Sequence, residues 1–164
     1  MTSRTYVAGV GMIPFVKPGA NAPYHVMGAE AAKLALADAG LDYGKVQQAY
    51  VGYVYGDSTS GQRALYEVGL SGLPIVNVNN NCSTGSTALF LARQAVQSGA
   101  VDCALALGFE QMNPGALGSV YTDRPSAFER FDAAAEDLVG HAEVPLALRY
   151  FGGAGLAHMQ QYGT

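Results

Sequence analysis

One stretch of the chain combines the residue types that acyl chemistry needs: Asn79-Asn80-Asn81-Cys82-Ser83-Thr84-Gly85-Ser86. A strand-like run, Pro74–Asn79, enters a polar turn, and Cys82 falls at the first turn of an Ala-rich helical segment. The first N–H groups of a helix lack intrahelical partners, and the peptide dipoles leave that end partly positive. Both features favour thiolate over thiol, and the thiolate is the nucleophilic form of cysteine. The same N–H groups stabilise an oxyanion formed when sulfur attacks a carbonyl. Most free cysteines are simply small buried residues, so spacing alone leaves that alternative open; the neighbouring Asn, Ser and Thr favour chemistry.

The second cysteine, Cys103, lies within the apolar run Val101–Phe109 and reads as a core residue. Other motifs are weak. In Gly9-Val10-Gly11 the third glycine of a dinucleotide fingerprint is missing and Pro14 takes its place. Gly56-Asp57-Ser58-Thr59-Ser60-Gly61 runs into Gln62 where a phosphate loop has Lys. There is no Gly-x-Ser-x-Gly, and no Cys/His grouping has zinc-ligand spacing, so no metal is expected.

The elements that must position Cys82 alternate between strand and helix, the pattern of an α/β fold with a largely parallel sheet. Tyr6–Gly11 reads as a buried strand. A helix is expected over His25–Ala39, with Met27, Ala31 and Leu34 on one face and Gly40 closing it in a left-handed conformation. Val46–Tyr55 alternates, with Ala49, Val51 and Tyr53 on one side. Gly61–Gly69 reads as a short helix. From Cys82 to just before Gly99, Ala88, Leu91, Ala92, Ala95 and Val96 form an apolar stripe. Val101–Phe109 has the hydrophobicity of a central strand covered on both faces. Composition then shifts: Met112–Arg124, with Pro114, Gly115, Gly118 and Ser119, reads as loop, and Glu129 to Asp137 as a solvated helix. A last helix is expected over Val144–Tyr162, and this tail has no hydrophobic centre of its own.

The 164 residues are 49% hydrophobic and only 13% charged, against roughly 25% charged in an average domain. Disorder is excluded, and some surface is expected to face more protein. A net charge of −4 disfavours nucleic-acid binding. No apolar run is long enough to span a membrane. The start, Arg4 with Tyr6–Val16 and Ala20-Asn21-Ala22, loosely imitates a secretory signal but is broken by Gly9, Gly11 and Pro14. Two cysteines are too few for a disulfide framework and suggest a reducing compartment. The expected location is cytoplasmic, or peroxisomal in a eukaryote, although Tyr162-Gly163-Thr164 is no peroxisomal address.

Asn77-Val78-Asn79-Asn80-Asn81-Cys82-Ser83-Thr84-Gly85-Ser86 resembles the nucleophile motif of thiolases, in particular the sterol carrier protein X type. Gly9-Val10-Gly11-Met12-Ile13-Pro14-Phe15 with Lys17-Pro18-Gly19 is similar to that family's first strand and loop. So are Val51-Gly52-Tyr53-Val54-Tyr55-Gly56-Asp57-Ser58-Thr59 with Gly61-Gln62-Arg63, and Ala106-Leu107-Gly108-Phe109-Glu110-Gln111-Met112. The resemblance runs along the whole chain in order. It implies a βαβαβαβ, mostly parallel sheet with helices on both faces over residues 1–111, then the beginning of a helical loop domain over 112–164.

The activity it implies is acyl transfer with coenzyme A as co-substrate and no permanently bound cofactor. Cys82 would attack a 3-ketoacyl-CoA, with its backbone N–H in the oxyanion hole, and Met112 becomes a candidate for lining the substrate site; equally, Met112 could be an apolar gap-filler. The family's activating His and second, acid–base Cys belong to a later half. His25, His141, His158 and Cys103 match neither, so the chain reads as an N-terminal half that is inactive alone and lacks its C-terminal partner half. The resemblance further implies a homodimer through the strand at Pro74–Asn79, where Ile75, Val76 and Val78 carry no blunting charge. Two alternatives stay open: a retro-aldolase acting on CoA thioesters of steroid side chains, and a non-catalytic acyl-CoA- or lipid-binding fragment.

Overall fold

The computed structural model describes residues 4–113, 121–141 and 143–164. The chain divides into two compact units, residues 1–113 and 114–164. In the first, three parallel strands, β1 (Gln48–Gly52), β2 (Ile75–Val78) and β3 (Ala104–Gly108), form a sheet in the order β2-β1-β3. Helices α1 (Tyr24–Ala39) and α2 (Ser60–Leu65) precede β1 and β2, and α3 (Thr84–Gln97) joins β2 to β3. A single 3₁₀ turn, Tyr43–Lys45, leads into β1; Asp42 closes it by accepting the Gly44 N–H at 2.7 Å.

The alternation expected in β1 holds. Ala49 and Val51 are fully buried and Tyr53 is nearly so, because side chains alternate across a strand. This face meets α1 and α2, where Ala32, Leu65, Leu105 and Leu107 complete the core. The opposite face receives α3 through Ala88, Ala92 and Ala95, with Leu91 and Val96 half-buried at the border of the stripe. Helices therefore cover both faces of a parallel sheet, as such sheets require. Gly40 ends α1 at φ 62, as its position after Ala39 predicts.

Three expectations change. Residues 6–11 form no strand: Val10 donates its N–H to Asp38 Oδ2 at 2.8 Å, and Tyr6, Val7 and Val10 are exposed. The two glycines instead lie on α1, where a Cβ on either would overlap the helix at Ala31, Ala35 and Ala39. A strand exists only through ladder bonds to a neighbour, which an apolar run alone does not supply. This contact also explains Leu34: it borders Gly11 and is not part of the core, and the buried face of α1 is Met27, Gly28, Ala29 and Ala32. The second change concerns 101–109, which yields an edge strand of the described sheet, not a central one. Its hydrophobicity reports two covered faces, which is independent of rank within the sheet. The third is the start of α3, two residues later than expected.

The second unit pairs α4 (Glu129–Val139) with α5 (Leu146–Tyr162). Neither helix has a buried residue among those described. Arg149 bonds Asp132 and, at 3.2 Å, Glu136 Oε1; the Tyr150 hydroxyl donates to Asp132 Oδ1 at 2.7 Å. The loop expected at Pro114, Gly115, Gly118 and Ser119 lies outside the described residues.

Candidate active site

Between β2 and α3 the backbone reverses within a few residues. Asn81 takes a left-handed conformation, φ 49, which Asn tolerates better than most side chains. Cys82 follows it, exposed, with Ser83 at the helix N-cap and the first helical residue at Thr84. Cys82 thus stands on a bend just outside the helix and not in its first turn; the left-handed step at Asn81 delays helical dihedrals by two residues. Side chains fix the bend from within. The buried Thr84 hydroxyl accepts the Asn80 N–H at 2.8 Å and donates to the Asn81 carbonyl at 2.5 Å. Ser83 Oγ donates to the Asn80 carbonyl at 2.8 Å, and Asn80 Nδ2 donates to Thr87 Oγ1 at 2.9 Å. The Ser83 and Thr84 amides are taken up by the carbonyls of Asn80 and Asn81. Among the described residues the Cys82 amide donates to no acceptor.

The bend is seated on the carboxyl ends of β1 and β3. A Cβ at Gly52 would lie 2.7 Å from Thr84 Cγ2 and 3.0 Å from the Thr84 carbonyl oxygen. Glycine there lets α3 begin directly against the sheet. Gly108 faces Gly85 Cα and the Gly52 carbonyl at ordinary contact distances. Beyond Gly108, Phe109 stacks between Tyr24 and Tyr53 with centroids at 5.5 and 5.6 Å. Glu110 accepts the Val54 and Tyr55 amides at 2.8 and 3.0 Å, and Gln111 Oε1 accepts the Tyr24 amide at 2.9 Å. Burial, then the charges of Glu110 and Cys82, raise the Tyr55 phenol above its ordinary value.

Met112 is half-buried just past this segment. Cys103 precedes β3, half-buried against the core, with its N–H bonded to Gln47 Oε1 at 3.1 Å and its carbonyl to the Gln47 amide at 3.0 Å. His25 lies on α1, edge-on to Tyr24 at 5.5 Å. His141 sits 3.2 Å from Glu136 Oε1 and His158 packs on Tyr162, both within the second unit. Among the described residues no group of three or more acidic, His or Cys side chains could hold a metal ion. Tyr55 and Glu110 lie within family-like segments of the sequence that give neither residue a role of its own. The available signal was a carboxylate placed directly after a buried apolar strand, where an uncompensated charge is costly.

Residues 5–141 match the family model described as the thiolase N-terminal domain. The chain belongs to the thiolase family. Sterol carrier protein 2 of Gallus gallus is 51% identical over 166 residues, covering 100% of this chain and 30% of that protein. Benzoylsuccinyl-CoA thiolase subunit BbsB of Thauera aromatica is 38% identical over 65% of this chain and 28% of its own length. Among solved structures the Ltp2-ChsH2(DUF35) aldolase shares the fold, with a TM-score of 0.62 at 19% identity over 96% of this chain and 38% of that one. This thiolase-family chain spans about 30% of the length of the sterol carrier protein it matches. No helix among the described residues is long and apolar enough to cross a membrane.

Proposed function

We propose that this chain carries the nucleophile of a thiolase-type acyltransferase, with Cys82 as the catalytic residue. The observation that carries the reading is an exposed cysteine on a left-handed bend whose own amide is left unbonded among the described residues. The Cys82 thiolate adds to the 3-keto carbon of a 3-ketoacyl-CoA, and the oxyanion is met by the Cys82 N–H. The C2–C3 bond breaks, its electron pair leaves with C2 as the enolate of acetyl-CoA or propionyl-CoA, and that enolate takes up a proton. The acyl group remains on sulfur as a thioester. Coenzyme A thiolate then attacks that thioester and restores the Cys82 thiolate, two easier steps replacing one hard step.

Met112 lines the substrate side in this reading. Residues 1–111 form the α/β domain and 112–164 begin a loop domain. The strand at 74–79 pairs with its mate in a homodimer; in support, β2 is an edge of the described sheet and Val76 is 37% exposed. Turnover needs a further thiolase half that supplies an activating His and an acid–base Cys. His25, His141, His158 and Cys103 are not these groups, so the 164 residues alone release no acyl-CoA.

The test is Cys82→Ala in a chain joined to such a half. Thiolysis of a 3-ketoacyl-CoA and formation of an acyl-enzyme, read by intact mass, should both disappear. Carbon–carbon cleavage of a CoA thioester that survives the substitution would replace this reading with the retro-aldolase. Binding of acyl-CoA without turnover in the joined wild type would leave only a binding module.

A further inference from the structure

Cys82 lies in a four-residue turn whose corners are Asn80 and Ser83, closed by the Ser83 N–H on the Asn80 carbonyl at 3.2 Å. One hydroxyl on the first turn of α3 ties both corners together. Thr87 Oγ1 accepts from Asn80 Nδ2 at 2.9 Å and donates to the Ser83 carbonyl at 2.9 Å. A Thr bonded to the carbonyl four residues back is ordinary in a helix. The added bond from Asn80, seven residues back, is not, and it closes a ring around Cys82. The Thr87 N–H also goes to the Ser83 carbonyl, at 2.8 Å, so Ser83 is anchored to Thr87 twice. Between these anchored corners the Cys82 amide donates to no acceptor among the described residues. A donor that stabilises an oxyanion is most effective when held in place before the charge develops, because it then needs no reorganisation during the reaction.

Resting on the proposed role of Cys82, we infer that Thr87 is a positioning residue of the acyl-transfer site: its hydroxyl braces Asn80 against Ser83 and so holds the Cys82 N–H where it meets the oxyanion. Thr87 acts through the turn. Asn80 acts with it, since its side-chain amide is the other half of the brace. Because the two residues share one bond, their effects are coupled: once either side chain is removed, removing the other adds little.

The experiment uses the full chain and two reagents that both consume the Cys82 sulfur. With p-nitrophenyl acetate the thiolate adds to the ester carbonyl, an oxyanion forms, the carbon–oxygen bond breaks and p-nitrophenolate leaves. With iodoacetamide the thiolate displaces iodide and no oxyanion forms. The ratio of the two rates at the Cys82 peptide, followed by mass, thus reads the oxyanion donor apart from the nucleophilicity of the sulfur. In Thr87→Val the acylation-to-alkylation ratio should fall about tenfold, short of the roughly hundredfold loss on deleting an oxyanion donor outright. Thr87→Ser, which keeps the hydroxyl, should restore the ratio. Asn80→Ala should lower it as far as Thr87→Val does, and the double variant no further. A ratio raised in the wild type over that in urea but unmoved in both single variants overturns the brace alone. A wild-type ratio no higher than that in urea overturns both the brace and the reading of the Cys82 N–H as oxyanion donor. Should Thr87→Val not fold, Asn80→Ala decides.

Discussion

The two ends of the parallel sheet each hold one cysteine and treat it in opposite ways. At the amino ends, Cys103 is half-buried, and Gln47 locks its amide and carbonyl. At the carboxyl ends, Cys82 is exposed on a left-handed bend with its amide unbonded among the described residues. Helix N-termini in an α/β sheet follow the carboxyl ends of strands, so unpaired N–H groups collect there. The same residue type is therefore locked into the scaffold at one end and exposed at the other. Tyrosines repeat the lesson. Burial raises the Tyr43 phenol, near the amino ends, and a hydrogen bond from Ser71 partly opposes the rise. At Tyr55 burial is joined by the charges of Glu110 and Cys82.

The strongest way to break the contrast is to push the bend off its seat. Gly52→Val places carbon against Thr84 and should destabilise the first unit by about 3 kcal/mol, the upper part of the range for overpacking, read by urea unfolding. A loss under about 1 kcal/mol would mean that α3 does not rest on β1 as described. The next effect is chemical. Iodoacetamide should modify Cys82 on the order of tenfold faster than Cys103 in the folded chain, and the gap should close in denaturant. Equal rates before unfolding would erase the difference between the two ends.

A smaller loss, about 1–2 kcal/mol, is expected for Thr84→Ala, which removes a buried hydroxyl bonded to both Asn80 and Asn81. The finest test uses alkali. A phenol with a raised folded pKa keeps its proton after the unfolded chain has lost its own. Its contribution to stability is complete below about pH 10 and is lost as pH climbs through the folded value. Tyr43→Phe and Tyr55→Phe should each flatten that alkaline loss. Added salt at about 1 M should lower the Tyr55 titration and leave Tyr43 in place, since only Tyr55 is raised by neighbouring charge. Ultraviolet phenolate titration of the two Phe variants against wild type reads both.

Much of this was legible beforehand because it is local. The alternation of Ala49, Val51 and Tyr53, the Ala88–Ala92–Ala95 stripe, the Gly40 cap and the cysteine after an Asn run each follow from a few neighbouring residues. The first strand was misread because 6–11 has the apolarity of a strand but pairs with no strand among the described residues, and its glycines fit the small-residue face of α1. The start of α3 was misread because the conformation of Asn81 is set by bonds to Thr84 that residue types do not reveal.

By itself the sequence determined the alternation of β1, the apolar stripe of α3 and the glycine that closes α1. Tertiary structure alone decided that Gly52 and Gly108 carry the bend, that Glu110 reaches back to Val54 and Tyr55, and that β3 lies at an edge of the described sheet. The physical reason is separation along the chain. Periodicity and capping act over a few residues, whereas a carboxylate finding amides 55 and 56 residues earlier depends on how strands β1 and β3 are laid side by side.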